Sequence, residues 1–396
     1  MADVIQQSTL GEILKSESDL VLSAEKKYGA IWNHALDFMD LLGDFVESID
    51  PDRYIFAIFL GHVQKHYLLS ILSAVRLHHV QTGMDIRQLI EAGSWAAYSI
   101  ANPEQTKFCV EKDGMLDVPE GLKKAKDKWL DINHKSHSES LKNLKATINN
   151  STGHANLVYS MKSFKADFIQ GNFHMPFFDF EESRHVKSDL WFATNVVMGL
   201  LDLFYGINQP LNVIKLKPDF ASKVVALRKV NDQYKIELMD EFKLNNLRAT
   251  VTNIVSKAQA LKNKHTDQVS APVNYACIFA QSEDEYNEME SIFKEWGEPV
   301  HETKTGFVYR IPSLETSAGE LTLLKLRKPD PTRPERGDAD FTVSNYPEFK
   351  AKYLDKPNVK LIERPEMEMM ELTDSDFDVR AYFSNPILEK VLEMGR

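Results

Sequence analysis

The sequence predicts a two-part chain: an all-α helical bundle followed by an α+β domain built from paired βαββ(β) modules. Three observations carry this. At 396 residues the chain is longer than one hydrophobic core usually organises, about 250 to 300 residues. From Ala30 to Ile207 apolar residues recur at helical spacing, and from Pro272 onward the pattern changes to short β-rich runs bounded by turn residues. The expected units are a helical bundle over residues 1–212, a helical linker or dimerisation segment over 213–268, and the α+β domain over 269–396.

Trp32, Leu36, Phe38, Met39, Leu42 and Phe45 mark one apolar face. Asp50-Pro51-Asp52 then opens a long helix expected to run to Gln81, with a cap and a first-turn proline. Gly83 is expected to end it, Asp85 to restart a helix that reaches Tyr98, and Asn102-Pro103 to close that one. Lysines 123, 124, 126 and 128, interleaved with Asp127, Trp129 and Leu130, read as a solvated helix face with one apolar stripe. Asn149 to Gly153 reads as a turn, and Phe173 to Phe180 as a loop packed on the bundle. Leu190 to Ile207 is the most membrane-like stretch, but it contains Asn195 and Asp202. An Asp near a bilayer centre costs about 2.5 to 3.5 kcal/mol, so a buried core helix is expected. Beyond Pro210 and Pro218, polar helical sequence carries one seam of Leu227, Val230, Tyr234 and Leu238, suited to bridging domains or to a homodimer.

Composition narrows the function. An apolar fraction of 43% supports packed cores throughout. A net charge of −11 argues against a dedicated nucleic-acid binder, because that affinity rests on neutralising phosphates, although a local basic patch stays open. Cys109 and Cys277 are too few for a disulfide framework and suit a reducing cytoplasm. Met1-Ala2-Asp3-Val4 does not begin a secretory signal, so a cytoplasmic location with no membrane partner is expected. The chain has no Walker loop, dinucleotide fingerprint or Gly-x-Ser-x-Gly elbow, which disfavours nucleotide hydrolysis, hydride transfer and α/β-hydrolase chemistry.

Within the bundle, His62, His66, Leu69, Ser73, Arg76 and Val80 fall on one helical stripe, and Arg87 and Glu91 share a face of the next helix. Buried charges should be paired, so Glu91 is expected to bridge to Arg76 or Arg87. His62 and His66 have the spacing of two ligands to one metal, with His154 as a third, but Val63 stands where a zinc protease carries Glu. A hydrogen-bonded polar layer that sets helix register is the expectation. With its long second helix, Arg and Glu on the third, and apolar closing helix, the bundle loosely resembles HEPN-like helical domains. These include RNA-cleaving members that pair Arg with a His five to seven positions later, a pairing absent from this chain.

In the last third, Val273 to Ala280 reads as a strand, and Ser282-Glu283-Asp284-Glu285 as a capping box opening a helix to Trp296-Gly297. Strands follow near Gly306–Ile311 and Leu321–Arg327. The order then recurs with strand Asp338–Val343, helix Pro347–Leu354, and strands near Val359–Glu363, Met367–Leu372 and Asp378–Phe383. This doubled unit, with Phe307-Val308-Tyr309-Arg310, Leu324 to Pro329, Arg336 to Phe341, Leu372-Thr373-Asp374 and Val379 to Phe383 in that order, resembles the vicinal oxygen chelate superfamily, most closely its YecM-like members. The resemblance implies paired modules around a cupped sheet with a ligand or metal cavity inside. Metal-using members place His and Glu on inward strand positions. This chain offers Tyr275, Asp338, Asp340 and Arg380 there instead, so a metal-free site is expected, with a divalent metal left open and no other cofactor called for.

Asp338 and Asp340 lie two apart on one strand and so face the same way. They are either a carboxylate pair with one raised pKa or partners in salt bridges to Arg336 and Arg380. Lys325, Arg327, Lys328, Arg333 and Arg336 could recognise an anion. The leading expectation is a protein that binds or senses a small, anionic molecule, with the helical part supplying dimerisation or output. Its rivals are a metal-dependent enzyme of the vicinal oxygen chelate type and a HEPN-like RNA or nucleotide binder in stress or phage defence.

Overall fold

The computed structural model describes residues 9–151, 164–167, 172–174, 177–179 and 183–394. The chain divides into two units, Met1–Leu238 and Met239–Arg396. The first contains α1 (Leu10–Leu22), α2 (Ala24–Tyr28), α3 (Ala30–Asp44), β1 (Val46–Ile49), α4 (Tyr54–Val75), α5 (His79–Ala101), β2 (Val110–Lys112), β3 (Met115–Asp117), α6 (Leu122–Asn133), α7 (Lys135–Ser151), β4 (Lys165–Asp167), β5 (Asn172–His174), α8 (Ser183–Leu211) and β6 (Ile214–Leu216). One long helix, α9 (Phe220–His265), runs from the first unit into the second.

α1 begins where sequence chemistry says a helix should. Thr9 Oγ1 accepts the Glu12 amide at 3.3 Å and the Glu12 carboxylate accepts the Thr9 amide at 2.7 Å, a reciprocal cap. The core lies among α3, α4, α5 and α8, with Phe38, Phe56, Tyr67, Ile71, Ile90, Ala97, Val197 and Leu201 almost fully buried. Gly93 makes room on α5 for Leu200 of α8: a Cβ there would sit 2.4 Å from the Leu200 methyl groups. Ala or anything larger would force the Leu200 side chain to move.

The break between α4 and α5 differs from the expected one. Gly83 and Asp85 lie inside α5, and the chain turns instead at Arg76–His78, where Leu77 adopts a left-handed φ of 62°. The His78 amide donates to Ser73 O at 3.0 Å, and the Asp179 carboxylate accepts the His79 amide at 2.9 Å, so a distant residue caps α5. Leu77 is 6% exposed, and this burial offsets a backbone strain normally left to glycine. β1 pairs antiparallel with β6, a small sheet within a region expected to be helical almost throughout. α7 runs to Ser151, through most of the expected turn at Asn149–Gly153, and His154 lies outside the described residues. Of the expected seam on α9, Leu227, Tyr234 and Leu238 pack on the bundle core, while Val230 is exposed.

Among the described residues, two helices are long and apolar enough to cross a membrane, Pro51–Val75 and Ser183–Leu211. The apolar residues of α8 are largely buried in the core of the first unit, from Val186 through Leu200 to Ile207. That is the packing of a core helix.

The second unit is a mixed eight-stranded sheet covered on one face by helices. Its elements are β7 (Val273–Phe279), α10 (Glu283–Trp296), β8 (Glu298–Thr303), β9 (Gly306–Thr316), β10 (Gly319–Arg327), β11 (Gly337–Phe341), α11 (Tyr346–Tyr353), β12 (Val359–Glu363), β13 (Glu368–Leu372), β14 (Val379–Asn385) and α12 (Leu388–Met394). The strand order is β12-β13-β14-β11-β7-β10-β9-β8. Each half is therefore a βαβββ module with its last strand parallel to its first, and the modules join through antiparallel pairing of their first strands, β7 and β11. β8, absent from the expected strand set, completes the first module. At the start of α10, Ser282 Oγ accepts the Glu285 amide at 3.2 Å, while Glu285 reaches the Gln281 amide and the Arg336 guanidinium.

The segment expected to be a helical linker or dimerisation segment over 213–268 is divided between the units after Leu238. Leu247, Val251, Ile254, Val255, Ala258 and Leu261 of α9 are buried in the core under the sheet. A fragment beginning at residue 239 should therefore unfold cooperatively in urea. One beginning at residue 266 should not, since each buried aliphatic side chain it lacks contributes about 1.5 to 3 kcal/mol against a total stability of about 5 to 15 kcal/mol. A cooperative transition from the shorter fragment would show that α9 is not part of this core.

Candidate functional site

Strand alternation sorts the sheet of the second unit into two faces. Ala276, Ile278, Leu324, Leu326, Ala339, Phe341, Ala381 and Phe383 point to the helices and are buried there. The opposite face carries Tyr275 and Cys277 on β7, Lys325 and Arg327 on β10, Asp338 and Asp340 on β11, and Arg380, Tyr382 and Ser384 on β14. Register aligns them in rows. Lys325 lies across from Cys277, Cys277 from Asp338, and Asp338 from Arg380. In the next row Tyr275 lies across from Asp340, Asp340 from Tyr382, and Tyr382 from Glu371. Opposed side chains on neighbouring strands sit about 4.5 to 5.5 Å apart at Cβ, so each row is a chain of direct neighbours.

The two aspartates are buried, at 7% and 2% exposure. Asp340 accepts the Ser384 amide at 3.1 Å and also the Ser384 hydroxyl. Asp338 Oδ1 is buried with no hydrogen-bond partner. Burial and the Asp340 charge push the Asp338 carboxyl up to about 7, against the pull of Lys325, Arg327 and Arg333. Burial raises Asp340 to about 6 despite its bonds to Ser384. Burial also raises the Tyr275 hydroxyl and the Cys277 thiol, each with Asp338 adding to the effect, and lowers Lys325.

The arginines expected to hold an anion are held by the protein itself. Arg380 donates to Glu371 at 2.6 Å and to Glu335 at 2.6 Å, and Arg333 donates to Glu371 at 2.9 Å. Tyr382 also donates to Glu371. Burial raises the Glu371 carboxyl, but these three donors outweigh it and hold the carboxyl below its ordinary value. Arg327 pairs with Asp330 at 2.7 Å and lies over the Phe279 ring, and Arg336 pairs with Glu285 at 2.6 Å. Neither arginine expected to bridge the aspartates does so. Lys325 is different: its ammonium donates to the Thr303 and Thr305 hydroxyls at 2.8 and 2.7 Å and, among the described residues, makes no ion pair. The C-terminal helix α12 packs against β7, and its Glu389 pairs with Arg310 of β9 at 3.1 Å.

The structure thus brings Tyr275, Asp338, Asp340 and Arg380 onto one face, with Arg327 beside them, and places Arg336 toward α10. Sequence reasoning passed over Cys277, Glu371, Tyr382 and Ser384. Counting by twos from Tyr275 and Arg380 finds Cys277, Tyr382 and Ser384. Glu371 needs the pairing of β13 with β14.

In the bundle, His62, His66 and Glu91 line one cavity of about 320 Å³ with Phe59, Gln88, Ala92 and Trp95. The His62 and His66 rings stack with centroids 6.3 Å apart, and His66 Nδ1 lies 3.6 Å from Asp85 Oδ1. Glu91 does not meet Arg76 or Arg87. It pairs with Lys145 and lies 3.9 Å from the buried Lys126, because α6 and α7, not neighbouring turns of α4 and α5, supply the cations. Arg76 instead donates to Leu72 O at 3.1 Å. Among the described residues no group of three or more His, Cys, Asp or Glu side chains could hold a metal ion.

No protein-family profile matches the sequence, and no curated protein matches it. A solved structure described as "Structural Genomics, Protein EC4020" aligns with 39% of this chain and 93% of its own length, at 11% identity and a TM-score of 0.33, a likeness too weak to establish a shared fold.

The buried aspartates make stability depend on pH. Their folded pKa values lie above the ordinary 3.8, so the folded state holds protons that the unfolded state has lost between about pH 4 and 7. This contribution is greatest at the acid end of that window and is lost as pH rises through the folded values. The melting temperature should fall between about pH 5 and about pH 8, a window that spans both folded values, and Asp338→Asn should flatten the decline. A variant as pH-sensitive as the native protein would remove Asp338 as its source. Glu371→Ala, which takes the carboxylate from Arg333 and leaves Arg380 with Glu335 alone, should cost about 3 kcal/mol in chemical denaturation.

Proposed function

We propose that the second unit is a small-molecule binding domain of the vicinal oxygen chelate type, and that its ligand is a compact anion such as a short carboxylate. Support for the domain type comes from the duplicated βαβββ module joined through its first strands. The ligand reading rests on one observation above the others: Asp338 Oδ1 is buried without a partner, one strand from Cys277 and two from Lys325. A buried polar atom left unsatisfied costs about 1 to 3 kcal/mol, and a ligand donor or acceptor would relieve it.

Each residue then has a distinct part. Lys325, held by two neutral hydroxyls, supplies the charge for the anion. Asp338 in its protonated form donates a hydrogen bond to a ligand oxygen, which an ionised carboxylate could not do. Tyr275 is half-buried and borders the same place from the next row. Arg380, Arg333 and Glu371 form the floor, a closed charge network that holds β13 and β14 in register beside the site. The protein in this reading binds or senses the ligand, and the cytoplasm is the compartment that suits it.

The test is a thermal-shift and calorimetric screen of the full chain against short oxo- and hydroxycarboxylates. At least one should raise the melting temperature in proportion to RT ln(1 + [L]/Kd), with affinity falling as pH rises above about 7 because Asp338 loses its proton. Lys325→Met should weaken binding by about tenfold or more. A carboxylate that binds equally well to Lys325→Met, or a panel in which none binds, would sink the proposal.

A further inference from the structure

We infer that the cavity between α4 and α5 is a second binding site, separate from the sheet, and that it takes an uncharged or singly protonated planar nitrogen heterocycle of one or two rings. Its shape follows from helical spacing. Phe59, His62 and His66 are one stripe of α4, and Gln88, Glu91, Ala92 and Trp95 are one stripe of α5. The two stripes face each other, and the small Ala92 leaves the space between them open. A volume of about 320 Å³ is at the lower end of ordinary ligand pockets, about 300 to 1,000 Å³.

The lining selects the chemistry. Phe59 stacks on Trp95 with centroids 6.1 Å apart and planes 20° apart, an aromatic wall extended by Phe108 and Tyr98. Such a wall favours a flat ring over an aliphatic group. Around the rim stand two imidazoles, one primary amide and one carboxylate, which together both donate and accept in the plane of a ring. His66 Nδ1 is buried without a hydrogen-bond partner, at 3.6 Å from Asp85, so the His66 side of the cavity is not saturated internally.

Charge excludes the anions assigned to the sheet. Glu91 is balanced by Lys145 and Lys126, which leaves Asp85 as a buried carboxylate whose nearest basic group is His66. Asp85 is otherwise satisfied by Ser73 at 3.3 Å and Gln81 at 3.0 Å. A phosphate or carboxylate here would meet the Glu91 carboxylate and find the nearby Lys126 and Lys145 already paired with Glu91 and Asp127. A ring N–H or amino group would instead find the Glu91 carboxylate as an acceptor on one side and imidazole nitrogens on the other, and a protonated ring gains further from that carboxylate.

The experiment titrates the full chain with adenine, cytosine and 2-aminopyridine by calorimetry and ligand-observed NMR, with benzoate as the flat anionic control. At least one heterocycle should saturate a single site with a dissociation constant below about 1 mM, and benzoate should not compete for it. His62→Ala and Gln88→Ala, both exposed and free of core packing, should each weaken that binding by about fivefold or more at unchanged melting temperature. Asp338→Asn should leave it intact, which separates this site from the sheet. The inference is overturned if no heterocycle saturates up to about 5 mM, if binding is the same in His62→Ala and Gln88→Ala, or if Asp338→Asn abolishes it.

Discussion

The antiparallel seam between β7 and β11 is the constraint from which the second unit follows. It sets the first strand of one module against the first strand of the other, so Asp338 meets Cys277 and Asp340 meets Tyr275. A slip of one residue would turn both aspartates into the helix-covered core and Ala339 and Phe341 out of it. The seam is closely packed: a Cβ at Gly337 would lie 2.3 Å from Cys277 O, which leaves glycine as the residue that lets the strands approach there. With the register held this way, two carboxyls are buried side by side, and their proton affinity rises because burial, with the Asp340 charge adding at Asp338, outweighs the pull of Lys325, Arg327 and Arg333 on Asp338 and the bonds of Asp340 to Ser384.

The charges around that seam divide into those the protein satisfies and those it does not. Glu371 gathers Arg333, Arg380 and Tyr382, and Glu335 takes the other arm of Arg380. Buried ion pairs of this kind add little net stability over apolar packing, yet breaking one is costly, so they act mainly to hold register. Lys262 solves a similar problem differently. It is fully buried, donates to the carbonyls of Gln268 and Val269 and to Asn263, and lies 5.2 Å from the Phe341 ring centroid. Burial lowers its pKa. Lys325 and Asp338 stand apart from this accounting, one with only hydroxyl partners and the other with an oxygen bonded to nothing.

In the first unit the same logic places the polar groups of α4 and α5. Asp85, which by its chemistry suits a helix start, is buried mid-helix as the acceptor for Ser73 and Gln81. The helix start it would have served is capped by Asp179 instead. Glu91 finds lysines on α6 and α7. The cavity beside these pairs is lined by Glu91, already balanced, together with His62, His66 and Gln88.

Much of this was legible beforehand. Helical periodicity, the change of pattern near Pro272, the Ser282 cap and the shared direction of Asp338 and Asp340 are local properties, because the 3.6 and 2.0 residue periods and capping chemistry act within a few residues. What stayed hidden was every partner choice made across the fold. That Leu77 would take a left-handed turn, that Glu91 would meet Lys145, that Arg380 would be spent on Glu371 and Glu335, and that half of α9 would complete the core under the sheet all depend on which surfaces meet. The sequence alone determined the segments and the faces they present, since backbone geometry dictates those residue by residue. Only the tertiary structure decided which charges were paired within the protein and which were not, because Coulomb and desolvation terms depend on distances between residues far apart in the chain.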